Sequence, residues 1–190
     1  MLYIVFRSKP VQTWLSKEIT TYLSNELGTK VRIGAVDIEF FKTAVLEDLY
    51  IEDQKGDTML YFRKLKLDYH TYDKEKRIIK LNYLGLEGGK ILFGEHKGET
   101  VGNYEFLIDY FDGGSTDPNK PKIIWTVYSE AVSLENMRFD YFSRNDEKPD
   151  FMDFDYNDMS WGNINGSISD FYLIDDSLHF QAEHLDAVEK

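Results

Sequence analysis

After Gly28 the apolar residues stop recurring at three- and four-residue steps and begin to alternate. That change of period limits the chain to one helix followed by sheet. Before it, Val11, Trp14, Leu15, Ile19, Tyr22, Leu23 and Leu27 form a single stripe on a helix over residues 10–27. Ser8 and Pro10 suit the first turn, and Gly28 suits the left-handed residue that ends it. Gln12, Ser16, Lys17, Thr20, Thr21 and Asn25 fall on the other face. Such a helix is unstable alone, so its stripe must lie on something apolar.

The alternation that follows is a strand signature. Val31, Ile33 and Ala35 alternate with Lys30, Arg32 and Gly34, and the phase then slips by one residue and continues through Val36, Ile38 and Phe40. A β-bulge produces such a slip. Further strand-like runs cover residues 49–52, 59–70, 77–86, 122–129, 136–142, 151–158, 167–173 and 177–182. Gly56 with Asp57, and Gly88 with Gly89, supply turns. Residues 104–111 suit a short second helix, and residues 112–121 (DGGSTDPNKP) read as a linker. The expected fold class is mainly β with an N-terminal amphipathic helix and a curved, mostly antiparallel sheet. The expected divisions are a lead-in and helix over 1–28, a first sheet segment over 29–111, a linker over 112–121 and a second segment over 122–190.

A Leu-Glu-x-x-x-apolar echo recurs at Leu46–Ile51, Leu86–Ile91 and Leu134–Phe139, spaced by 40 and 48 residues. That spacing suggests one extended sheet built by repetition.

Chemistry-bearing motifs are scarce. With no cysteine, the chain has no thiolate chemistry. His70, His96, His179 and His184 lack the spacing of a helical zinc pair. Asp153, Asp155 and Asn157 have the opening spacing of a calcium loop, but Asp158 and Ile164 stand where glycine and glutamate are required. A strand with Met152, Phe154 and Tyr156 inward explains the pattern better. Phosphate-cradling glycines and a Gly-x-Ser-x-Gly elbow are absent. The expectation is a non-enzyme without metal or cofactor. Net charge is −12, from 34 acidic against 22 basic residues. This excludes nucleic acid as a first choice of partner and argues against a broad electrostatic seat on anionic lipid. No apolar run reaches the roughly 20 residues of a membrane helix. Residues 1–6 (MLYIVF) read either as a lead-in or as the last turn of a membrane helix.

From Pro10 onward the chain resembles the start of TamB-type proteins of the Bacteroidota, relatives of AsmA. The resemblance is carried by Pro10-Val-Gln-Thr-Trp-Leu15, by Tyr22-Leu-Ser-Asn-Glu-Leu-Gly-Thr-Lys-Val31, and by the run from Ile33 to Asp53. Gly56-Asp-Thr-Met-Leu60, Asn103-Tyr-Glu-Phe106 and Val132-Ser-Leu-Glu-Asn-Met-Arg-Phe139 extend it. The resemblance implies the N-terminal region of a longer, inner-membrane-anchored periplasmic protein of the cell envelope. Its body would be an open, taco-like β-groove carrying phospholipid acyl chains between the inner and outer membranes. The implied partners are an outer-membrane barrel of the assembly module and the inner membrane, reached through an N-terminal helix missing here.

On that reading Ile33, Val36, Ile38, Leu49, Ile51, Leu65, Leu67, Leu81, Phe139 and Phe154 face the lipid. Trp14, Leu15, Ile19, Tyr22 and Leu23 form the helix that caps the groove. Two other functions stay open. One is a scaffold that templates outer-membrane protein strands by β-augmentation through residues 59–70; the other is a carbohydrate-binding or hydrolytic β-domain.

Overall fold

The computed structural model describes residues 9–39, 42–111, 125–145, 154–174 and 177–189. Helix α1 spans Lys9–Leu27 and is followed by strands β1 (Val31–Arg32), β2 (Ala35–Glu39), β3 (Thr43–Glu52), β4 (Thr58–Asp73) and β5 (Ile78–Glu95). Helix α2 (Glu105–Phe111) precedes β6 (Thr126–Ser143), β7 (Asp158–Ile174) and β8 (Ser177–Glu189). The chain is mainly β, as its alternation predicts. The eight strands form one open sheet in the order β1-β3-β4-β5-β6-β7-β8, with β2 also on β3. β5 and β6 pair in parallel and the other pairs are antiparallel. Parallel neighbours need a crossover, and here the crossover includes α2. The expected linker at 112–121 lies outside the described residues, but β5 before it and β6 after it share one sheet.

Left-handed residues interrupt β3, β5, β6 and β7. Asp48, Gly88, Asn136 and Asn163 have φ of 51°, 60°, 50° and 50°. In β3, β5 and β6 this residue is the third of each Leu-Glu-x-x-x-apolar echo. Asp, Gly and Asn are the types that tolerate this conformation best. Each such residue turns the pleat over, so apolar side chains recur at i, i+3 and i+5. Leu46, Leu49 and Ile51 do this in β3, and Leu134, Met137 and Phe139 in β6.

The reversals in β3, β5 and β6 fall at one height, and β4 steps from Phe62 to Leu65 there without a left-handed residue, so the rows match from strand to strand. Val36, Leu46, Leu65, Leu86 and Leu134 are successive cross-strand partners, and Val31, Ile51, Leu60, Ile91 and Phe139 are another such set. The echo is thus a structural repeat.

Two sequence expectations change on this account. The slip after Ala35 is no bulge: five steps from Val31 to Val36 face five from Ile51 to Leu46, with no extra residue. Gly34 instead lies opposite Asp48, and its N–H bonds the Glu47 carbonyl at 2.8 Å. Gly88 and Gly89 form no turn and sit in mid-strand in β5. The reversal also made single long strands look like separate runs, as in β6.

Helix α1 packs beside β1 and β2 and so covers the first edge of the sheet. The Ser24 hydroxyl accepts from Val31 N–H at 3.1 Å and donates to its carbonyl at 3.3 Å, satisfying both outward backbone groups. Gln12 Nε2 donates to Asp37 Oδ1 at 2.8 Å, and Gln54 Nε2 donates to the last-turn carbonyl of Leu27 at 3.1 Å. Gly28, at φ 61°, ends the helix as expected.

Leu15, Ile19, Leu23 and Leu27 pack on the core. Trp14 and Tyr22, expected in the same stripe, are 60% and 56% exposed. A helix flanking an edge is instead buried on a second side, where Ser16 is only 5% exposed. Ser8, proposed as its cap, lies outside the described residues.

The seam is testable at Asn136 and Gly88. A Cβ on Gly88 would meet Arg63 Nε at 2.9 Å in a backbone already at φ 60°. Gly88→Ala and Asn136→Val are each expected to destabilise the fold by about 1–2 kcal/mol, while Asn136→Gly stays near neutral. Urea unfolding midpoints decide it; an unchanged midpoint in Asn136→Val would remove the seam's role.

Candidate functional site

Directly paired residues share a face of a sheet. The row Val36–Leu46–Leu65–Leu86–Leu134 continues through Gly166 to Leu185, and the neighbouring row reads Ile38–Ala44–Leu67–Leu84–Val132–Ile168–Ala182. Both are apolar across the sheet from β2 to β8. The intervening row on the other face reads Asp37–Val45–Lys66–Gly85–Ser133–Ser167–His184 and is mostly polar.

The polar face also carries Asp140, which is 8% exposed. Arg138 Nε donates to it at 2.9 Å, Ser160 at 2.8 Å, and Lys90 Nζ lies at 3.4 Å. Burial raises the Asp140 pKa, but these partners outweigh it and hold the group below its ordinary value. The sheet is therefore amphipathic, with the apolar rows on one face and a mostly polar row on the other.

Cover on the apolar face is uneven. Beneath the helices, Val31, Val36, Leu49, Ile51, Met59 and Phe62 are buried. Tyr104, Phe106, Leu107 and Tyr110 of the α2 segment pack on the same cluster. The Tyr110 phenol bonds Tyr22 of α1 and is partly buried, which pushes its pKa up to about 12. Along the first row exposure then rises from 3% at Val36 to 47% at Leu185, so the row runs from sheltered to bare.

A polar latch holds α2 in place. Asp53, 1% exposed in the β3–β4 turn, accepts the N–H groups of Lys55 and Asp57 on Oδ1 at 2.9 and 3.0 Å. Its Oδ2 accepts Asn103 Nδ2 at 3.2 Å and lies 2.9 Å from His96 Nε2. Asn103 in turn exchanges bonds with Gly94: its Oδ1 accepts Gly94 N–H at 3.1 Å, and its own N–H donates to the Gly94 carbonyl at 2.8 Å. One carboxylate thus ties a hairpin turn, the end of β5 and the entry to α2. Burial raises the Asp53 pKa, yet the bonds from His96, Asn103 and the two amides hold it below the ordinary value. Asp53, Asp57 and His96 also lie close enough to share a cation. Both Asp53 oxygens already take two donors each, which makes the cluster a latch.

The residues expected to face lipid divide as follows. Ile33, Val36, Leu49, Ile51 and Leu81 are buried, while Ile38, Leu65, Leu67 and Phe139 are half-buried. Leu65, Leu67, Val36 and Ile38 lie in the two continuous rows, and Phe139 in the row of Val31. Phe154 is misplaced: it is 39% exposed, ahead of β7, and stacks edge-on against Tyr156. There the Asp155 carboxylate accepts Asn157 N–H at 2.9 Å, which makes a turn where a strand over 151–158 was expected. Residues 151–153, Asp153 included, lie outside the described residues. Of the capping set, Leu15, Ile19 and Leu23 reach the core, and Trp14 and Tyr22 do not.

Leu46, Phe62, Leu86, Leu134 and Met137 join this cluster without having been expected to face lipid. For Leu46, Leu86, Leu134 and Met137 the signal was the spacing around Asp48, Gly88 and Asn136 in the echo. Residues 59–70 cannot template a client strand, because β4 is paired on both sides. No family model, curated protein or solved structure matches the chain.

The latch gives a signed pH dependence. A depressed folded-state pKa stabilises the fold above the unfolded aspartate value of about 3.9 and loses that contribution as pH falls through the folded value. Asp53→Ala is expected to cost about 2–4 kcal/mol, since it orphans several buried donors. It should also flatten the acid limb of stability against pH below about pH 4. Hydrogen exchange should show α2 opening before the sheet. Equal opening of α2 and β4 would reject the latch.

Proposed function

We propose that this chain is the N-terminal region of an inner-membrane-anchored periplasmic bridge protein whose open apolar sheet face carries phospholipid acyl chains. The observation that carries the reading is the row from Val36 to Leu185, which has an apolar side chain on every strand except at Gly166 of β7 and is 3% exposed at its first residue and 47% at its last. Moving an acyl chain of about 14 methylenes into water costs roughly 11 kcal/mol, at about 0.8 per methylene. Lipid transit across an aqueous gap therefore needs a continuous dry track, and aligned apolar rows supply one. The TamB-type resemblance supports the same reading and adds the envelope location and the outer-membrane barrel partner. The polar back face and the latch suit a non-catalytic conduit.

Photo-crosslinking separates the trough from its reverse side. A photoreactive residue at Leu134 or Leu185, in protein prepared from envelopes without detergent, should label phospholipid. The same probe at Ser133, one residue away on the polar face, should label it at least several-fold less. Equal labelling at 133 and 134, or no lipid at either, would overturn the conduit.

A further inference from the structure

On the polar face, the flank of α1 and the sheet enclose a cleft of about 640 Å³. Its floor is the row Arg32–Tyr50–Tyr61, whose members pair directly across β1, β3 and β4. Gly34 lies beside the left-handed Asp48 and adds no side chain to the hollow. The α1 wall presents Ser16, Lys17 and Thr20. Volumes of roughly 300–1,000 Å³ suit small organic ligands.

Three groups in this lining lack the partners that their chemistry calls for. The Thr20 hydroxyl is buried and has no hydrogen-bond partner among the described residues. Burying an unpaired hydroxyl costs stability, so such a group calls for an explanation. Ser16, one turn earlier, does donate to the Thr13 carbonyl at 3.1 Å. Arg32 lies over the Tyr50 ring, 4.3 Å from its centroid, and makes no ion pair among the described residues. Glu52 is near enough to feel its charge, but Lys30 at 2.9 Å and the Tyr50 hydroxyl at 2.7 Å hold that carboxylate. Lys17 is exposed and is likewise without an ion pair among the described residues. With 34 acidic residues against 22 basic ones, this chain has carboxylates to spare. Two cations of one cleft have taken none of them, which leaves both for an anion from outside.

Asp48 is the one carboxylate in the described lining. Its Oδ1 accepts the Tyr61 hydroxyl at 2.9 Å, and its Oδ2 lies toward Gly34. A bare anion is repelled there, so a ligand that fits must also offer a donor. A guanidinium, an ammonium and a hydroxyl from separate elements suit a tetrahedral phosphate, which accepts from several directions.

We infer that this cleft binds a small phosphate ester bearing a hydroxyl or ammonium group, with its phosphate at Arg32, Lys17 and Thr20 and its donor at Asp48. Its carbons then lie along Tyr50 and Tyr61. Such esters exist free in solution and as lipid headgroups. The cleft and the trough are on opposite faces, so the inference does not rest on what the trough carries.

The test is titration of the whole chain with phosphoethanolamine and with sn-glycerol 3-phosphate, followed by calorimetry and amide NMR shifts. Saturable binding is expected, tighter for phosphoethanolamine, with shifts centred on Thr20, Arg32 and Asp48. Arg32→Gln should weaken both probes by about tenfold or more, the usual worth of a charge-assisted bond. Thr20→Val should weaken them several-fold and leave the urea midpoint equal or higher, because its hydroxyl has no partner within the fold. Asp48→Asn keeps an acceptor for Tyr61 and a residue type that tolerates the left-handed backbone. It should remove the preference for phosphoethanolamine. Lys74→Gln, exposed between β4 and β5, should bind like the parent. Dihexanoyl phosphatidylethanolamine separates the sources: tighter binding than phosphoethanolamine supports a headgroup site, and weaker binding supports a site for the free ester. Absence of saturable binding by either probe overturns the inference. So does inorganic phosphate binding as tightly as the esters, or unchanged affinity in Arg32→Gln. A lower urea midpoint in Thr20→Val also overturns it, since the hydroxyl would then serve the fold.

Discussion

The structure depends on the alignment of backbone reversals across the strands. A sheet stays apolar on one face only if every strand keeps the same phase at the same height. Here the phase inverts partway along β3 to β7, and a single strand inverting alone would put leucines into water and charges against the helices. Asp48, Gly88 and Asn136 invert at one height, β4 inverts there between Phe62 and Leu65, and Asn163 inverts β7 one row further on. Leu46, Leu65, Leu86 and Leu134 therefore remain neighbours above the seam, and Ile51, Leu60, Ile91 and Phe139 below it. Three of these left-handed positions fall in a repeated Leu-Glu-x-x-x-apolar segment, so the repeat preserves a crease as well as a strand.

The two edges of the sheet are treated differently. The first is covered by α1, where the Ser24 hydroxyl stands in for a neighbouring strand at Val31. The last, β8, is exposed along its length. Cover on the apolar face follows the same gradient, because both helices lie toward the covered edge. Asp53 holds α2 there through four hydrogen-bonding partners, at the expense of burying a carboxylate, and those partners outweigh the burial.

The sheet is amphipathic and its cover is graded: apolar rows run along one face, and the row behind them is mostly polar. The Asp53 and Asp140 carboxylates are each held by several donors.

Much of the architecture was legible in the residues. The period change at Gly28 separates helix from sheet, alternation marks the strands, and Leu15, Ile19 and Leu23 belong to a buried stripe wherever that helix packs. Local sequence could not say that Gly88 and Gly89 continue a strand, because a turn and a mid-strand left-handed residue call for the same residue types. Nor could it show that Trp14 and Tyr22 face water: which side of a helix is buried depends on whether it crosses a sheet or flanks its edge. Phe154 was misread because Asp155 forms a local turn that competes with pairing. Sequence alone determined the elements and the apolar character of one face, since both follow from local periodicity. Only the tertiary structure decided the register that aligns the reversals, the burial of Asp53 between distant segments, and which end of each row is left bare, because those are set by contacts between residues far apart in the chain.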